Sequence, residues 1–194
     1  WGAVVADQTF APGPIGARMR ARSEWARGDL EAAAAAWSAQ EISPTQPIDR
    51  LIMGEAWAAM GDVRALDQAR ALEAHTPVES LLIVARLHQA LGEQAKALTV
   101  LRAAFERLQR DPWVRAPTLH RGLTQAVRLA GAGGSEAATA LLDVLVTPFA
   151  EGVEDEQRRA AALRIAHVAG FEAHCERALS TVEPHPPWHR TVLA

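Results

Sequence analysis

The side chains of this sequence best suited to hold a metal ion or to supply a nucleophile gather near its C-terminus. They are His167, His174 and Cys175, followed by His185 and His189. Zinc needs three or four ligands converging at about 2.0–2.3 Å, as a rule held by short fixed spacings. His167 and His174 stand seven positions apart, which on one helix is a shared face, but Gly170 lies between them and breaks that helix. The spacing therefore predicts no metal site. Cys175 falls where a helix needs a small side chain, and it reads as a buried, inert thiol. The stretch GAGGSE, Gly131–Glu136, has the glycine content of a phosphate cradle. It follows a predicted helix instead of a strand, and no lysine closes it, so it reads as an interhelical loop. Glu151, Glu154, Asp155 and Glu156 run into the start of a predicted helix. There the exposed N–H groups and the dipole favour acids, and no independent feature supports paired acid–base catalysis. G-x-S-x-G, Walker A, H-E-x-x-H and C-x-x-C are all absent. The region is expected to be noncatalytic, with no metal and no cofactor.

Composition narrows the remaining classes. The sequence has 194 residues, 49% hydrophobic and 22% charged, with a net charge of −3. That fits globular domains or one elongated repeat domain, and nothing global recruits nucleic acid or an anionic membrane. No apolar run is long enough to cross a membrane. One cysteine excludes an internal disulfide and leaves the compartment open, cytoplasm or bacterial cell envelope. The chain has no Asn and no Tyr, and Lys96 is its one lysine. Richness in Ala and Arg without Asn or Lys is what a GC-rich bacterial gene encodes. The sequence opens on Trp1 with a short apolar stretch. This reads as the cut edge of a longer protein, or as the remnant after a removed signal or membrane segment.

The elements that must position any site are helices. Past Pro14 the apolar residues recur at helical spacing, Ala, Leu, Arg, Glu and Gln dominate, and no stretch alternates with period two. Candidate turn glycines are Gly28, Gly61, Gly92, Gly134 and Gly170, at intervals of 33, 31, 42 and 36 residues. Candidate unit ends are Pro44, Pro77, Pro112, Pro148 and Pro184, at intervals of 33, 35, 36 and 36. A period in the thirties points to stacked helical hairpins. The predicted helices are about 15–27 and 29–41, 47–60 and 62–74, 78–91 and 93–109, 117–130 and 135–146, and 154–169 and 171–181. An irregular segment, 1–13, precedes the helical region, 14–182. A proline-rich tail, 183–194, follows it and reads as the start of a truncated further helix.

Within each hairpin a small residue follows the turn glycine by four or five positions: Ala32 and Ala33, Ala65, Ala97 and Ala138. Small side chains there let two helices approach closely. Trp37, Leu101 and Leu142 fill the wedge beyond, and Trp25, Trp37 and Trp57 are expected to pack between layers. Asp29, Asp62, Glu93 and Glu136 stand at the starts of second helices, where acids are favoured. "GDLEAAAAAW" with Pro44, "MGEAWAAMGDVRAL" with Pro77, and "LGEQAKALTVLRAAF" with Pro112 resemble the tetratricopeptide repeat family. That family has about 34 residues and two antiparallel helices per unit. The match is best over 15–112 and loose beyond. Unit two departs by placing Arg70 where its neighbours have Trp37 and Leu101. The resemblance implies an all-α, right-handed solenoid of about five helix-turn-helix repeats.

The resemblance further implies that the first helix of each unit lines a concave surface that binds peptides. Carried onto this sequence, the face comprises Ile15, Arg18, Arg22 and Trp25, then Ile48, Leu51, Glu55 and Ala58, then Glu79, Leu82, Arg86 and Gln89. Arg121, Gln125 and Arg128 continue it, and Gln157, Arg164 and His167 end it. Six arginines then face two glutamates in a chain that is acidic as a whole. Arginine forks match carboxylates and phosphates. The expected partner is a protein or peptide, acidic or ending in a carboxylate, and neither nucleic acid nor membrane. The Lys/Asn pattern of the family's carboxylate clamp is missing, so binding of chaperone tails is not carried over. Two functions are compatible with this reading. One is an interaction scaffold, and the other is an accessory region of a larger bacterial transferase, ligase or protease.

Overall fold

The computed structural model describes residues 12–169, and among them every regular element is helical. The chain is all-α over this span. In order the helices are α1 (Pro14–Arg27), α2 (Leu30–Ser38), α3 (Pro47–Ala59), α4 (Arg64–Leu72), α5 (Pro77–Ala90), α6 (Gln94–Leu108), α7 (Ala116–Leu145) and α8 (Asp155–Ala169). A short 3-10 turn, Ala150–Gly152, precedes α8. The expected second helix of the fifth unit, Gly170 and the C-terminal tail lie outside the described residues, as do most of 1–13.

Local chemistry explains the boundaries. Proline occupies the first turn of α1, α3, α5 and α7, where its missing N–H has no intrahelical partner to lose. Pro77, expected to close a unit, is thus the residue that opens α5. Gly28, Gly61, Gly92 and Gly134 all take positive φ, between 69° and 87°. Gly28 shows the use of this: its left-handed turn lets Asp29 N bond back to Glu24 O while the chain reverses into α2. Asp29 then accepts from Ala32 N at 2.9 Å, capping α2. Asp62 accepts from Arg64 N at 2.9 Å at the start of α4. α7 runs through the span expected as two helices, but Gly134, with φ 69° and ψ −159°, interrupts it between them.

Packing follows chain order. α1 packs on α2, α3 on α4, α5 on α6, and α7 on α8. Successive pairs touch through α1–α3, α3–α5 and α5–α7, and through α2–α3, α4–α5 and α6–α7. The first helices of the pairs run side by side in the same direction. Glu79, at the start of α5, meets Arg115, just before α7, and further along Leu82 meets Gly122. α3 and α5 come closest at Gly54, where a Cβ would lie 2.7 Å from Ile83 Cδ1.

Two apolar clusters result, and α5 belongs to both. Ile83 and Leu87 join the cluster of α1–α4, while Val78, Leu82 and Ala85 join that of α6–α8. Trp25, Trp37 and Trp57 are buried in the first cluster. Phe105 stacks on Phe149 in the second, with centroids 5.8 Å apart.

Candidate functional site

The face made by α1, α3, α5 and α7 carries a ladder of ion pairs between neighbouring helices. α3 opens on Pro47, and its first turn brings Asp49 against α1. There the carboxylate is fully buried and takes both Arg18 and Arg22. Arg22 Nε and Nη2 donate to Asp49 Oδ1 at 2.9 and 2.7 Å. Arg18 Nη2 donates to Oδ2, and its guanidinium also lies 5.8 Å from the Trp37 ring. At the start of α5, Glu79 is buried as well. It accepts from Arg115 N at 3.0 Å and from Arg115 Nη1 at 2.7–2.9 Å.

Further along the same helices a third buried carboxylate, Glu55, joins three elements. Trp25 Nε1 of α1 donates to Glu55 Oε2, and so does Arg121 Nη2 of α7. The Arg121 guanidinium lies 4.7 Å from the Trp25 ring centroid. A carboxylate taken out of water needs such partners, because each unsatisfied lone pair keeps its desolvation cost.

The ladder stops at Arg86. This side chain is on α5, partly buried, with neither a hydrogen bond nor an ion pair among the described residues, and its Nε is shielded from solvent without a partner. Burial holds its pKa below the usual arginine value. Glu55 opposes that effect, and the charges of Arg121 and Arg128 add to it. On α7, Gln125 is buried, and its amide N and O both lack partners. Arg128, one turn on, is exposed.

The residues of the expected face therefore divide. Arg18, Arg22 and Arg121 are engaged with acids of the chain itself. Leu51 and Leu82 are buried core side chains, and Trp25 and Glu55 are buried beneath Arg121. Arg86 and Gln89 are partly exposed, while Arg128 and Arg164 are exposed without an ion pair among the described residues. Arg164 also lines a cavity of about 190 Å³ between α7 and α8, with His120, Leu123, Thr124 and Val127. Its rim includes a hydrogen bond of 2.7 Å between His120 and Glu154.

Sequence reasoning missed Asp49 and Arg115. The signal for Asp49 was its place two residues after Pro47, where a helix-start acid also lies one turn before Leu51 and Ile52 of the core. His174, Cys175, His185 and His189 lie outside the described residues. Among the described residues, no three His, Cys, Asp or Glu side chains gather as metal ligands, and no helix is long and apolar enough to cross a membrane. The arrangement offers fixed cationic hydrogen-bond donors, which suits recognition of anionic groups. Compared with models of known families, with curated proteins and with solved structures, the chain matches none.

Proposed function

We propose that this region is a noncatalytic protein–protein interaction scaffold. In this reading it is a tetratricopeptide-like solenoid whose α1–α3–α5–α7 face takes a segment of a partner protein. The observation that carries it is the uneven charge of that face. Buried acids neutralise Arg18, Arg22 and Arg121, whereas Arg86, Arg128 and Arg164 keep their charge without an ion pair among the described residues. The packing order supports the solenoid, since each helix pair rests on the next in sequence. A preformed face of this kind leaves the ordering cost of binding mainly to the partner.

The test is capture from a lysate of the native organism, comparing the unmodified chain with the doubly substituted Arg128→Glu/Arg164→Glu chain. Both positions are exposed, so the fold is expected to tolerate them. A partner held at low salt by the first and lost by the second supports the reading. Equal capture by both, or none by either, removes it. Small-angle scattering addresses the solenoid separately: an elongated particle is expected, and a nearly spherical one contradicts it.

A further inference from the structure

The ladder has a regular chemistry up to the point where it ends. Each buried carboxylate on this face is met by arginine from an adjoining element: Asp49 by Arg18 and Arg22, Glu79 by Arg115, Glu55 by Arg121. At Arg86 the arginine is present and the carboxylate is not. α5 and α7 run in register from the Glu79–Arg115 pair through the Leu82–Gly122 contact. One further turn brings Arg86 of α5 level with Gln125 of α7, since 86 follows 82 by four and 125 follows 122 by three.

The charges facing Arg86 are Glu55 from α3 and Arg121 and Arg128 from α7. Glu55 is already engaged by Arg121 and Trp25. Three guanidinium groups thus share one carboxylate. The shielded Arg86 Nε and the Gln125 amide NH₂ are donors that have lost water and gained nothing in return.

We infer that Arg86, with Gln125 and Arg128, receives one carboxylate from an acidic side chain of a partner segment. The inference rests on the interaction reading above and gives it a chemical class. A planar carboxylate is the group that the rest of the ladder already accommodates, and a guanidinium fork matches it with two parallel N–H···O bonds. Arg86 stays partly exposed, so the group is open to a ligand from solvent. Arg128, exposed at the same level, supplies the longer-range attraction.

The experiment is a titration of the 194-residue chain at low salt, followed through the arginine Nε–Hε resonances. The probes are an N-acetylated, C-amidated Gly-Glu-Glu-Gly peptide, its Gln-Gln counterpart, the acetylated Gln-Gln peptide with a free C-terminus, and inorganic phosphate. The glutamate peptide is expected to shift the Arg86 resonance saturably and to lose affinity as salt rises. Arg86→Gln should weaken it by at least about tenfold. Arg128→Gln, at an exposed position, should weaken it by a few fold with the helical circular dichroism unchanged.

Binding that is indifferent to both substitutions overturns the inference. So does a response confined to phosphate or to the free C-terminus, because each names a different ligand. Failure here and failure of the scaffold are separable. A captured partner that ignores Arg86→Gln removes only the carboxylate receptor, whereas peptide binding with no captured partner removes only the scaffold.

Discussion

Arg121 and Trp25 lie 96 positions apart in the chain, and the guanidinium of one covers the indole of the other at 4.7 Å. The contact joins α7 to α1 across α3, whose Glu55 accepts a hydrogen bond from each. The face expected to be an open groove is therefore bridged at this level by its own side chains.

Removing Arg121 should expose the cost of that arrangement. Glu55 would remain buried with Trp25 Nε1 as its remaining partner. Arg121→Met is expected to lower stability by about 2–4 kcal/mol, the range for stranding a buried charge. Adding Glu55→Gln removes the stranded charge and should recover part of the loss. Urea denaturation of the two single variants and the double variant measures both effects.

Asp49 predicts a different, non-additive pattern. It is fully buried, while Arg18 and Arg22 keep 25% and 33% of their side-chain surface exposed. Either arginine alone leaves the carboxylate a partner, so Arg18→Ala or Arg22→Ala should each cost about 1 kcal/mol. The double variant should cost about 3 kcal/mol or more, exceeding the sum of the singles. Strict additivity in urea denaturation would contradict the shared role.

Gly54 tests the closeness of α3 and α5. A Cβ there would lie 2.7 Å from Ile83 Cδ1 and 3.3 Å from Gln68 Cβ. Gly54→Ala is expected to destabilise by about 1–3 kcal/mol through overpacking, despite alanine's better helix propensity. Ile83→Val removes the Cδ1 atom in the way. The pair Gly54→Ala/Ile83→Val should therefore be more stable than Gly54→Ala alone in thermal denaturation.

Asp155 sets part of the acid limb of stability. Its partial burial pushes its pKa up, but the hydrogen bonds from Arg158 and Arg159 outweigh this and hold it below the usual carboxylate value. As the pH falls, the unfolded chain takes up this proton first, near pH 4. The contribution is complete above that point and disappears as the pH drops through the lower folded value. Asp155→Asn should flatten the fall in stability between about pH 5 and pH 2. Asp62, held low by Arg64, and Glu93, held low by Lys96 and His88, act in the same direction from the surface. Their share should shrink with added salt.

The helices were legible because punctuation and periodicity agree. The four turn glycines inside the described span take the positive φ that their spacing implied, and each expected helix there has its counterpart. Gly134 was legible as a turn even though hydrogen bonding continues through it, because the backbone still needs a conformation that side chains resist. The face was only half legible. Counting positions found its arginines, but pairing depends on which side chain of the next helix stands opposite, and one sequence does not carry that register. Asp49 is the clearest case. Its neutralising of two arginines is a fact about the distance between α1 and α3, and its residue type alone reads as a helix-start acid. Arg158 is another. It is almost fully buried and donates to Leu145 O at the end of α7, a role invisible in a sequence where it looks like a surface charge.

The bridge from Arg121 to Trp25 has a mechanical meaning. A stack in which every layer touches only the next behaves like a spring, able to lose its end coils one at a time. Here the fourth coil is tied back to the first. The tie fixes the radius of curvature, and it makes straightening the stack and peeling α1 from its edge the same event.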